Sequence, residues 1–235
     1  MLNNRKIPKT IRVKRKKFIT DYINNKNVIH IGCTGGLLGS DNEKVHIENY
    51  NKLEDTHYIF SKSSKELSGL DISKNKIEFL KSQGFNNLFT HDICDLNFNL
   101  DKKYDVVLFP NIIEHLSNVG NALQNIKKLM RKDSKLIITT NNAFDILVIL
   151  KLFFNYESVH DEHTSYYSYS TMKRILKMNE LNIENFESIK KYLYKIKLNY
   201  LIHAAGLSRP MIIHEKEISK SININIIGTA NIVKA

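Results

Sequence analysis

The run Asn27-Val28-Ile29-His30-Ile31-Gly32-Cys33-Thr34-Gly35-Gly36 constrains this chain more than any other stretch. It reads as a short buried strand delivered straight into a glycine-rich turn. Three glycines within five residues let the backbone take conformations that a side chain forbids, and let it come close to a ligand. Set between a strand and a helix, such a turn puts a ligand at the carboxyl edge of an open parallel sheet. The pattern is that of a nucleotide-type cofactor site.

The rest of the chain alternates strand and helix patterns. A basic leader runs into a short helix ending at Asn24-Asn25-Lys26, and residues 42–62 read as a helix with a loop. Glu66 to Ile72 gives a second strand with Asp71 at its end; Ser73 then caps a helix from Lys74 to Gln83, which Gly84 stops. Asn87 to Ile93 is a third strand with Asp92 near its end, and Tyr104 to Phe109 is apolar enough for a central parallel strand. A helix from about Ser117 carries Leu123, Ile126, Leu129 and Met130 on one face, followed by a fifth strand from Lys135 to Thr140. An apolar helix from Phe144 to Phe154 leads into a loop rich in His and Tyr. A helix from Thr171 to Met178 and two weaker strands, Glu184–Ile189 and Tyr200–Ala204, complete the reading. The expected fold is α/β: a doubly wound, mostly parallel sheet with helices on both faces.

Composition narrows the partners. At 235 residues the chain suits one domain plus an appendage, and 42% hydrophobic with 25% charged residues is ordinary globular usage. No apolar run reaches membrane-spanning length, and the basic N-terminus does not read as a secretory signal. Cys33 and Cys94 lack metal-ligand spacing and suit a reducing cytoplasm. The net charge of +11 raises the question of nucleic acid, since eight of the 13 residues from Arg5 to Lys17 are Lys or Arg. Beyond that segment acids and bases interleave. A solvated surface is therefore expected, with contact at an anionic surface as the alternative and no nucleic-acid partner.

Six of these segments, in this order, resemble class I S-adenosylmethionine-dependent methyltransferases of the small-molecule branch, over residues of about 20–195. The glycine turn resembles the family's first motif, Gly69-Leu70-Asp71-Ile72-Ser73 its second, and His91-Asp92-Ile93 its adenine-side motif. Tyr104 through Leu116, including Asn111-Ile112-Ile113-Glu114-His115, is similar to the fourth. Lys135 to Asn142 is similar to the strand that follows it. Val159 to Met172 resembles the segment before the last helix in members acting on glycans and quinones. The resemblance implies a seven-stranded-type Rossmann-like sheet and S-adenosylmethionine as cofactor.

The resemblance also assigns cofactor contacts. Gly32, Gly35 and Gly36 would turn backbone amides toward the methionine carboxylate. His30 stands where the family usually has an acid beside the methionine amino group, and Thr34 where it usually has a glycine. Asp71, with Ile72, would take the ribose hydroxyls; Asp92 and Ile93 would meet the adenine; Asn111 completes the set.

The implied reaction moves a methyl group onto a small-molecule or glycan-linked acceptor, at a hydroxyl oxygen. An alcohol nucleophile gains from a general base, which makes His115, His160 and His163 the candidate catalytic residues. Asn141 and Asn142 lie near the same edge, and the loop from His160 to Tyr167 reads as a lid. His160 and His163 have a spacing that would suit metal ligands on a helix. The segment lacks a helical pattern, however, and no third ligand stands out, so no metal is expected.

The tail differs. Tyr200-Leu201-Ile202-His203-Ala204-Ala205-Gly206 and Asn225 to Asn231 resemble extended short-chain dehydrogenases and nucleotide-sugar epimerases. A dinucleotide loop and a following Tyr-x-x-x-Lys are missing, so no dehydrogenase activity is expected of it. The domain reading is 1–199 for the methyltransferase-like part, and 200–235 for either a dehydrogenase-like fragment or a last strand plus tail. Two alternatives stand beside the enzyme reading: a non-catalytic binding protein of methyltransferase type, and a truncated fusion with a nucleotide-sugar epimerase or dehydratase.

Overall fold

A computed structural model describes residues 12–35, 50–157, 159–183 and 202–203. Gly36, the first part of the expected 42–62 segment, the strand expected at Glu184–Ile189 and the tail from residue 204 lie outside the described residues. The elements in chain order are β1 (Arg12–Val13), α1 (Arg15–Ile23), β2 (Asn27–Ile31), α2 (Thr56–Ser63), β3 (Glu66–Asp71), α3 (Lys74–Ser82) and β4 (Leu88–Thr90). There follow β5 (Tyr104–Pro110), a 3-10 turn at Ile113–His115, α4 (Val119–Lys128), β6 (Met130–Thr139), α5 (Ile146–Leu152), α6 (Tyr169–Met178) and β7 (Ile202–His203).

Five strands form one parallel sheet in the order β4-β3-β2-β5-β6. The glycine-turn strand β2 is central, with β3 on one side and β5 on the other. The strand order reverses about β2, and the carboxyl ends there open the crevice in which such sheets take ligands. Period-two alternation divides the side chains between two faces. Val28, Leu67, Val106 and Leu108 pack with Ile19 and Ile23 of α1 and Phe60 of α2. Ile29, Ile31, Leu70, Val107 and Phe109 pack on the opposite face with Ala122, Leu123 and Ile126 of α4. Helices therefore cover both faces, as expected of a doubly wound fold.

Several boundaries move. The third strand stops at Thr90, so Asp92 stands in the turn beyond it. The helix expected from Ser117 begins at Val119, capped by Asn118, whose side chain accepts from Asn121 N. It ends before Leu129 and Met130, and Met130 opens β6 instead. Ser73 starts α3 without capping it through its side chain. The expected 144–154 helix is shorter, at Ile146–Leu152. Ile202–His203, the described part of the expected Tyr200–Ala204 strand, pairs with Arg12–Val13 in a separate two-stranded ribbon and not with the main sheet. No helix among the described residues is long and apolar enough to cross a membrane.

Candidate active site

Each strand of the sheet delivers one candidate residue at its carboxyl end. After β2 the chain turns at Gly32 with φ +72°, a conformation suited to glycine. A Cβ there would also meet Ile112 Cδ1, whose side chain would have to shift, so the positive φ is the firmer reason for glycine. The turn uses its own amides. Gly32 N and Cys33 N donate to Leu70 O at 2.8 and 3.3 Å, and Gly35 N donates to Gly32 O at 3.0 Å. Thr34 N donates to Asp71 Oδ2 at 3.1 Å. The amides of residues 32–35 are thus engaged within the protein rather than held out to a carboxylate, and Gly36 lies outside the described residues.

Asp71 is fixed from two directions. Its Oδ2 accepts from Thr34 N and from Thr34 Oγ1, the latter at 2.6 Å, and its Oδ1 accepts from Ser73 N at 3.0 Å. A carboxylate offers about four lone-pair sites, so roughly one remains, on Oδ1. Ile72, the next residue, is 68% exposed, which puts an apolar surface beside that open acceptor. The sequence expectation had Asp71 taking both ribose hydroxyls. As placed, one acceptor site is open and the second is filled by the Thr34 hydroxyl.

The adenine-side pair separates. Asp92 is exposed, and its Oδ1 accepts from Cys94 N at 2.8 Å, closing an Asx turn. Ile93 instead points into the core, and its carbonyl accepts from Asn125 Nδ2 at 2.8 Å. Ile93 therefore gives no ring-packing surface at the edge.

His30 is buried too. Its Nδ1 lies 3.2 Å from Nδ1 of His57 on α2, with Phe60 edge-on at 5.2 Å between ring centroids. One ring donates and the other accepts, so the two imidazoles hold opposite tautomers. Burial drives His30 well below the usual imidazole range, with His57 adding to the effect, and burial lowers His57 to about 4. The pair is neutral at pH 7 and belongs to the layer between β2 and α2. His57 carried no signal in the sequence, because only the folded contact pairs it with His30.

Asn111, at the end of β5, has φ +52°, which asparagine tolerates better than most residues. Its N donates to Thr139 O at 2.7 Å, and Thr139 Oγ1 donates to its Oδ1 at 2.9 Å, which locks it to the end of β6. The chain then enters the 3-10 turn carrying Glu114 and His115.

Onto that turn folds the loop from Val159 to Ser168. Thr164 N and Ser165 N donate to Glu114 O at 2.8 and 3.3 Å, and Thr164 Oγ1 donates to Leu116 O at 2.9 Å. Asn142 forms a bridge with Tyr167, while Ser168 and Thr171 make a capping box that starts α6. The three candidate histidines are thereby gathered. The His115 ring centroid lies 4.7 Å from that of His163 and 6.0 Å from that of His160, and the His160 and His163 centroids are 5.2 Å apart. Glu162 Oε2 stands 3.8 Å from His115 Nδ1. Burial, helped by neighbouring His115, lowers the pKa of His163.

A family model described as a methyltransferase domain matches residues 4–185. A ubiquinone biosynthesis O-methyltransferase of Pelagibacter ubique is 25% identical over an alignment of 146 positions that covers 57% of this chain and 53% of the relative. The chain thus spans about half the length of the curated relative it matches. Among solved structures, the Haloferax volcanii complex between the Trm112 methyltransferase activator and a candidate methyltransferase matches with a TM-score of 0.51. Identity there is 12%, over 72% of this chain and 68% of that one. The dehydrogenase resemblance of residues 200–235 finds no support in these matches.

Proposed function

The chain belongs to the methyltransferase-domain family, and from that premise we propose that it transfers a methyl group from S-adenosylmethionine to a small-molecule or glycan-linked acceptor, at a hydroxyl oxygen. The observation that carries the reading is the carboxyl edge of β2 and β3. There Gly32 gives a turn without a side chain, Asp71 keeps an open acceptor site, and Ile72 offers an exposed apolar face beside it. A nucleoside needs that combination: a hydroxyl acceptor next to a surface on which a ring can lie.

S-adenosylmethionine supplies a methyl group on a sulfonium that is already electrophilic, so the protein's part is chiefly proximity and alignment. Asp71 holds the ribose end, and exposed Asp92 lies within the same edge for the base. The acceptor enters above β5 and β6, between Asn111 and the histidine loop. His115 is the base of the reading: its ring is only half-buried and faces the loop through which an acceptor must come. The O-methyltransferase relative supports oxygen as the methylated atom. The free thiols of Cys33 and Cys94 suit a reducing, cytoplasmic setting.

A second reading has its own observation. Thr34 fills the site on Asp71 that a second ribose hydroxyl would use, which favours a weakened cofactor site and a binding rather than catalytic role. One assay separates the two. With labelled methyl donor and a panel of phenolic, quinol and glycan acceptors, the enzymatic reading expects transfer that His115→Ala reduces strongly. Cofactor binding without transfer to any acceptor would favour the binding-protein reading.

A further inference from the structure

Glu114 is the most anomalous side chain among the described residues. It is 1% exposed, and neither Oε1 nor Oε2 has a hydrogen-bond partner among them. A carboxylate taken out of water is costly unless a cation or several donors meet it. Here the side chain lacks both, whereas its backbone carbonyl accepts from Thr164 N and Ser165 N. The fold therefore holds this residue firmly while leaving its charged end uncompensated.

A second orphan lies beside it. Nδ1 of His163 is also buried without a partner among the described residues. Glu114, His115 and His163 each present one ligand atom, and these three atoms all lie within 4.8 Å of one another. Two segments about fifty positions apart in sequence are stapled together by the Thr164 and Ser165 bonds, so the grouping is built by the fold and is not an accident of two mobile side chains. Neutral imidazole and ionised carboxylate are the ligating forms of such side chains.

We propose that Glu114, His115 and His163 form a binding site for one divalent transition-metal cation at the carboxyl end of β5. Two imidazoles and one carboxylate suit zinc, iron(II), manganese or cobalt, and fit poorly with calcium or magnesium, which favour oxygen ligands. Three protein ligands leave at least one coordination position open. Loading the site would neutralise the buried carboxylate and tie the histidine loop to the 3-10 turn. The open position can take an oxygen ligand. The proposal rests on the donor set and is independent of the methyl donor, but a His115 that ligates the ion is not free to take the acceptor's proton, so the base role proposed for His115 applies only to the metal-free chain.

The test uses the tag-free full chain, stripped with a chelator and then titrated with Zn2+ by calorimetry and with Co2+ by visible absorption. One ion per chain is expected, with the ligand-field bands of protein-bound Co2+. Glu114→Gln, His115→Ala and His163→Ala are each expected to weaken binding by roughly 100-fold or more, given that even outer partners of a metal site cost about 10–100-fold. The ion should also raise the melting temperature of the parent chain and not that of His163→Ala. Should Glu114→Gln fail to fold, His163→Ala, on a surface loop, carries the test. Absence of stoichiometric binding, or affinity unaltered by His163→Ala, would overturn the site. S-adenosylmethionine titrated into the same stripped chain reports on the methyl donor separately, so failure of one claim can be told from failure of the other.

Discussion

Thr34 shows how one side chain reshapes the candidate cofactor edge. Its hydroxyl and its amide both donate to Asp71 Oδ2, so the glycine turn and the end of β3 are tied together through one carboxylate oxygen. Thr34→Ala is expected to cost about 1 kcal/mol of stability, the usual net worth of one hydrogen bond, while cofactor affinity stays level or rises as the acceptor site is freed. Denaturant unfolding and titration of the same variant check both halves, and a large loss of affinity would show that Thr34 itself touches the cofactor. The His30–His57 pair gives a second prediction. An unfolded imidazole titrates near 6.5, whereas buried His57 is lowered to about 4. The folded state thus binds fewer protons than the unfolded one between these values. The stability that comes from keeping His57 neutral is present above roughly pH 6.5 and drains away as pH falls toward 4, by about 3 kcal/mol in all. Unfolding free energies measured between pH 7 and pH 4 should show this slope, and His57→Gln should flatten it.

Among the elements, the strands were the most legible part of the sequence. Asn27–Ile31, Glu66–Asp71 and Tyr104–Pro110 stand within a residue of where their apolar runs put them, because buried parallel strands need unbroken apolar segments. Helix starts were less legible: Asn118 caps α4 where Ser117 was expected, since two adjacent polar residues offer equal local signals and packing decides between them. The strand expected over Asn87 to Ile93 stops at Thr90, because Asp92 closes an Asx turn with Cys94 N instead. Within the site, Gly32 and Asp71 were readable from local pattern. The closure of the histidine loop on Glu114 was not, for it depends on hydrogen bonds between segments about fifty residues apart that no local spacing encodes. That loop carries the next prediction. Replacing His160 and His163 together with alanine should lower turnover of a confirmed acceptor at least tenfold, because both rings line the loop that closes on His115, with S-adenosylmethionine affinity unchanged. Steady-state kinetics and cofactor titration on the double variant decide it; intact turnover would make the loop a simple connection.

For the molecule as a whole, the proposed function sits on one edge of one sheet. No role at that edge is proposed for the basic stretch from Arg5 to Lys17 or for the tail beyond His203. Residues from about Gly206 onward are therefore expected to be dispensable for cofactor binding, although Ile222, Ile224, Ile226 and Ile227 are apolar enough that deletion can affect folding. Affinity measured on the folded fraction of a chain ending at Ser208 separates the two effects, and a well-folded truncation without affinity would place the tail in the site.

The central claim, a methyl-donor site at the ends of β2 and β3, is tested most directly by calorimetric titration of the full chain with S-adenosylmethionine and with S-adenosylhomocysteine. The account predicts one cofactor per chain, competition between the two ligands, and a loss of about 2 kcal/mol in Asp71→Ala, where a charge-assisted hydrogen bond disappears. Absence of binding by either ligand, or affinity that Asp71→Ala leaves unchanged, would contradict it.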